Sequence, residues 1–106
     1  MKNNYGINDA SYEEMISLFK SFDSLDKVYI FGSRARGDYK EGSDIDLAIE
    51  SKDDIKLRLL NKLEDIRCIL NFDVVDVNNI ENEKLLMNIK KEGILIYRRE
   101  NTIWKD

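Results

Sequence analysis

Two carboxylates one residue apart, Asp44 and Asp46, open the alternating run Asp44-Ile45-Asp46-Leu47-Ala48-Ile49. On a strand, such a pair projects from one face, so both groups can bind one cation or bridge two. Without a cation they repel, and at least one resists ionisation. Oxygen ligands of this kind suit magnesium, which keeps waters and accepts phosphate oxygens at its remaining positions. Upstream, Gly32 follows the apolar run Val28-Tyr29-Ile30-Phe31. A residue without Cβ there lets a phosphate approach backbone N–H groups closely, and Ser33 adds a hydroxyl donor. If residues 33–36 form a first helical turn, its free N–H groups point at the same phosphate. Arg34 or Arg36 can supply a charge-assisted contact to a triphosphate, Arg36 being preferred.

A third carboxylate, Asp73, joins the pair if its strand lies beside the one bearing Asp44 and Asp46. Its role would be to ligate the catalytic metal and draw the proton from an acceptor hydroxyl whose pKa the metal lowers. Two magnesium ions would then clamp the attacking and leaving oxygens of an in-line displacement at an α-phosphorus, with pyrophosphate leaving. Each signal has a plainer reading. A lone D-x-D is more often a solvated strand start, a Gly-Ser pair serves any turn, and the two arginines can solubilise a loop. Asp76 competes with Asp73 for the third position. Asp73 is favoured because its neighbours form the more continuous buried face.

The rest of the composition narrows the chemistry. The chain has 106 residues, of which 42% are apolar and 36% charged, with both signs mixed. That suits one globular domain over residues 1–106, with a polar tail from about residue 98. No histidine is present, which removes imidazole bases, the commonest zinc ligand and imidazole-dependent triads. The net charge of −4 and the lack of an extended basic block argue against a strong direct grip on nucleic acid. An acidic domain can still hold a triphosphate when metal ions intervene. The single Cys68 excludes a disulfide framework and fits a reducing compartment. No apolar run is long enough to span a membrane, and the polar start MKNNYGINDA lacks a signal peptide's apolar stretch, so a cytoplasmic location is the default expectation.

The elements that must position these residues follow from periodicity and punctuation. Ser11 and Glu14 read as a capping box, and Met15, Leu18, Phe19, Phe22 and Leu25 share a helical face, predicting a helix over 11–24. Strands are expected over 28–31, 45–49, 72–77 and 94–97. Ser51 and Asp54 would open a long helix bearing Ile55, Leu59, Leu63, Ile66 and Leu70. A last helix from about residue 81 would end near Gly93. The stretch between the first two strands could allow an antiparallel pair but barely a parallel crossover. Tyr29 and Phe31 are core or interface aromatics before they are base-stacking platforms. Ile103 and Trp104 could dock on the body, on a partner, or on a second copy in a homodimer.

The segments FGSRARGDYKEGSDIDLAI, residues 31–49, and FDVVDV, residues 72–77, resemble the minimal nucleotidyltransferase family, a small branch of the DNA polymerase beta superfamily. Ten residues separate Ser33 from Asp44, matching the family's G-S-x10-D-x-D spacing. The resemblance implies an α/β fold of the α+β type: a small mixed sheet with helices packed mainly on one face. It carries metal-binding and catalytic roles over to Asp44, Asp46 and Asp73, and phosphate binding to Gly32 and Ser33. It implies ATP or another nucleoside triphosphate as donor. Members of this kind are frequently paired with a helical HEPN-type toxin, and some act as antitoxins by transferring AMP to a tyrosine of that partner. Two other readings stand beside this one: an antitoxin that neutralises its partner by steric contact alone, and transfer to a small-molecule acceptor.

Overall fold

The computed structural model describes residues 4–66 and 70–100; Cys68 and the Ile103-Trp104 pair lie outside them. The first helix, α1, runs Asp9–Lys20, capped by Asn8, whose side chain accepts from the Ser11 N–H at 2.8 Å. Ser11 is therefore not the cap that the capping-box pattern suggests. It is a buried residue of the first turn, because the polar side chain three residues upstream reaches the free N–H groups first. Met15 and Phe19 point into the core with no exposed surface.

The strand β1, Leu25–Phe31, starts three residues earlier than expected. The helix ends at Lys20, so Leu25, assigned from sequence to the helical face, is instead the strand's first buried residue. A short helix α2, Ser33–Arg36, follows immediately. β2 covers Ile45–Ser51 and pairs antiparallel with β1, Phe31 opposite Asp46 and Leu25 opposite Ser51. Ser51 thus belongs to the strand rather than to a helix cap. Its hydroxyl donates to Ser24 O and Asp53 O, at 3.1 and 2.7 Å. The helix α3, Lys56–Glu64, begins after Ile55 without a side-chain cap.

β3, Phe72–Asp76, runs parallel to β2, which α3 makes possible as the crossover. A 3-10 turn, Val77–Asn79, leads to α4, Glu83–Glu92, capped by Asn82 and followed by Gly93. β4, Ile94–Arg98, closes the order β3-β2-β1-β4 by pairing antiparallel with β1.

The alternation of β2 divides two apolar clusters. Ile45, Leu47 and Ile49 join Val28, Ile30 and Val74 in the main core, beneath Met15, Phe19, Leu59 and Leu63 of α1 and α3. Ala48 faces the other way, with Phe31, Val75 and Ile89 of α4. The sheet is mixed, and two of its longer helices cover one face. By the same alternation Asp46 and Asp73 share the second face with Ala48 and Val75. They stand at the end of the sheet where β2 and β3 both begin and β1 finishes.

Candidate active site

Three chain features meet at that end of the sheet. β1 stops at Phe31, and the backbone turns through Gly32 at φ +75°, ψ −153° before α2 starts. That φ is one that side-chain-bearing residues rarely adopt. Glycine is required there for a second reason: a Cβ on residue 32 would collide with Oδ2 of Asp46. The missing Cβ brings the phosphate-type turn directly against the carboxylate, so two motifs separated in sequence form one surface. The first α2 hydrogen bond runs from Arg36 N to Gly32 O at 3.0 Å. The N–H groups of Ser33, Arg34 and Ala35 precede that ladder and are not consumed by it.

The carboxylates come from two strands. Asp73 is the direct register partner of Asp46 across the parallel β2–β3 pair, and Asp44 lies two residues before Asp46 at the mouth of β2. Asp46 is half-buried, whereas Asp44 and Asp73 are exposed. Burial pushes the Asp46 carboxyl above the usual carboxylate range; the charges of Asp73 and then Asp44 push it further, against a smaller pull from Arg36 and Arg34. Burial is the largest cause of the shift; the remainder comes from like charges that a cation would relieve. Among the described residues, no group of three or more acidic side chains is drawn into a cage for a metal. Magnesium does not need one, since it binds through one or two carboxylates and completes its shell with water and phosphate oxygens.

Asp76 sits elsewhere. It is buried on the opposite face of β3 and accepts from Asn78 N at 2.9 Å and Asn79 Nδ2 at 3.0 Å. Its carboxylate caps the 3-10 turn, which takes it out of competition with Asp73 on geometry.

The two arginines of α2 divide sharply. Arg36 is exposed at the site, its Nε 3.1 Å from Asp38 Oδ2 and its Nη1 3.1 Å from Glu92 Oε1. Both pairs are surface contacts that a more highly charged anion can displace. Arg34 is neither a loop solubiliser nor a group available to a triphosphate. It is 3% exposed, and its guanidinium donates to Ser43 O through Nε and Nη2, at 3.1 and 2.9 Å, and to Tyr5 O through Nη1 at 2.9 Å. The ring of Tyr39 lies 4.7 Å from its Cζ. Sequence reasoning missed this role because the partner carbonyls lie far along the chain. Gly6 was the one faint signal, a glycine in the segment that wraps the guanidinium.

The profile of the polymerase beta nucleotidyltransferase family matches residues 13–102. Two proteins of Methanocaldococcus jannaschii, each described as a candidate protein adenylyltransferase, are similar in sequence. One is 38% identical over 73 residues, covering 58% of this chain and 74% of the relative. The other is 31% identical over 102 residues, covering 84% and 97%. Among solved structures, a toxin-antitoxin crystal structure with AMP-PNP superposes with a TM-score of 0.67 at 22% identity, covering 89% of this chain and 76% of that one. A complex of a tri-AMPylated Shewanella oneidensis HEPN toxin with its MNT antitoxin superposes with a TM-score of 0.63 at 22% identity, covering 85% and 71%. At that identity the two superpositions bear on the fold alone.

Proposed function

The chain belongs to the polymerase beta nucleotidyltransferase family, and from that premise we propose that it moves AMP from ATP, with magnesium, to a tyrosine hydroxyl of a HEPN-type helical toxin, acting as its antitoxin. The observation that carries the reading is the meeting of Gly32 with Asp46 and of Asp46 with Asp73. A phosphate-type turn and two carboxylates from adjacent strands then face one space.

Asp44, Asp46 and Asp73 would hold the magnesium, whose positive charge would polarise the α-phosphate and lower the pKa of an acceptor hydroxyl. Gly32 and Ser33 would receive the distal phosphates through backbone N–H groups and the Ser33 hydroxyl. Arg36 would leave Asp38 and Glu92 to pair with the triphosphate. Asp73, exposed on β3 beside Asp46, would take the acceptor's proton. The names of the relatives support adenylyl transfer as the reaction. The tri-AMPylated HEPN toxin in a complex of the same fold suggests the class of acceptor, by analogy.

The test is transfer itself. Incubation with α-labelled ATP, magnesium and the cognate helical protein should leave stable label on that protein, and the double variant Asp44→Asn, Asp46→Asn should leave none. Absence of transfer from all four ribonucleotides would sink the proposal. A double variant that still neutralises the toxin in cells would favour a steric antitoxin instead.

A further inference from the structure

The site is made of two halves on separate pieces of chain: the turn Gly32-Ser33 with α2, and the strand entry Ser43-Asp44-Ile45-Asp46. Between them runs an exposed loop, residues 37–42, with left-handed glycines at both ends, Gly37 at φ +94° and Gly42 at φ +87°. The register of β1 and β2, Phe31 opposite Asp46, brings the two halves together, and the loop adds bonds from Asp38 N to Ser33 O and from Ser43 N to Lys40 O. The Arg34 side chain adds a direct tie between α2 and the strand entry. It leaves α2 one residue after Ser33 and grips the Ser43 carbonyl with two donors, one residue before Asp44.

The guanidinium is itself enclosed. Its third bond goes to Tyr5 O, and the ring of Tyr39 covers one face. Tyr5 and Gly6 both take positive φ, +59° and +77°, to bring that carbonyl into place. A Cβ on Gly6 would lie 2.5 Å from the Tyr39 ring and 2.7 Å from Arg34 Nη1. The N-terminal segment is therefore shaped around this one side chain.

We propose that Arg34 is a positioning residue: it sets the metal-binding strand entry at Ser43-Asp44 against the phosphate-binding turn at Gly32-Ser33, so that metal and triphosphate share one geometry. This rests on the reading of those two halves given above. A planar fork with donors in fixed directions can bond Ser43 O twice and Tyr5 O once. A lysine ammonium keeps the charge but is a point donor on a flexible stem and cannot reproduce that fork. A displacement of about 1 Å between reacting groups lowers rates by roughly a hundredfold.

The experiment measures Mn2+ affinity in the presence of α,β-methylene ATP, a probe that needs no acceptor, by water-proton relaxation on the full chain. Arg34→Lys and Arg34→Ala should weaken Mn2+ binding by about tenfold or more while remaining folded by circular dichroism, and methylguanidinium should restore Arg34→Ala toward the parent value. The rescue separates positioning from a general loss of structure. Lysine within twofold of the parent, or a folded Arg34→Ala indifferent to methylguanidinium, would overturn the proposal. If neither variant folds, Arg34 is a folding residue and the positioning role is likewise overturned. No Mn2+ binding by the parent, or undiminished binding by Asp46→Asn, would instead refute the carboxylate reading on which this one stands.

Discussion

Asp46 stands in an environment that works against its own charge. Its carboxyl is raised by burial, by Asp73 and by Asp44, so between the usual aspartate value and the raised one the folded chain binds more protons than the unfolded chain. In that window stability falls as pH rises, and at neutral pH the full unfavourable contribution is present. Asp46→Asn should therefore raise the melting temperature of the metal-free protein at pH 7 while abolishing transfer. The group is only half-buried, so screening holds the gain to a fraction of a kcal/mol, roughly 1–3 °C. A lower melting temperature for Asp46→Asn in EDTA would contradict the electrostatic account. Gly32→Ala is expected to act in the opposite direction. The positive φ and the collision with Asp46 Oδ2 should cost about 1–3 kcal/mol, read from urea denaturation, together with loss of activity. That Gly32, Asp46 and Asp73 would meet was legible in the sequence from their types and spacing. Arg34 was not: its partner Tyr5 O is 29 residues away, and nothing local distinguishes a buried guanidinium from a solvated one.

At the scale of elements, the strands and the short helix at residues 33–36 were readable, whereas the starts of α1 and α3 were not. β2 alternates between two apolar clusters, so its pattern reports both faces at once. The capping signals at Ser11 and Ser51 misled because a serine followed three residues later by an acid is also compatible with a buried helical position and with a strand end. Burial and the partners Asn8 and Ser24 decided between those states, and such partners follow from tertiary packing. α4 gives a clean test of a cap. Asn82 Oδ1 accepts from Lys84 N at 3.0 Å and Leu85 N at 3.2 Å, which satisfies two N–H groups of the first turn. Asn82→Ala should cost about 1 kcal/mol, or roughly 4–8 °C of melting temperature in a domain of this size. Because Asn82 lies at the far end of α4 from Ile89 and Glu92, nucleotide affinity measured well below the melting range should be unchanged. A loss of affinity alongside normal folding would mean that α4 shifts as a unit and drags Glu92 away from Arg36.

For the whole molecule, the balance of charge decides how nucleotide and metal must arrive. The chain carries a net −4, and its candidate site collects Asp44, Asp46 and Asp73 at one end of the sheet, so a free triphosphate approaches against a like-signed field. A divalent cation alone gains carboxylate ligands but too few to complete its shell. Each ligand supplies what the other lacks, and binding should be strongly cooperative between them. Among the described residues no helix is long and apolar enough to cross a membrane. The cooperativity is read by thermal melting. With magnesium-ATP, taken as one ligand, near a hundredfold over its dissociation constant, linkage gives about 2.7 kcal/mol, a rise of roughly 10–20 °C. ATP with EDTA, or magnesium alone, should give no more than about a quarter of that rise. Acidification should erode the joint effect from above the ordinary aspartate range, because a proton competes for Asp46 in its raised window before it competes for an unshifted carboxylate. Asp44→Asn with Asp46→Asn should remove the joint effect and leave any weak ATP-only shift in place, since the turn at Gly32 is untouched. Equal stabilisation by ATP with and without magnesium would mean that the triphosphate is held by Arg36 and the α2 backbone without help from the carboxylates.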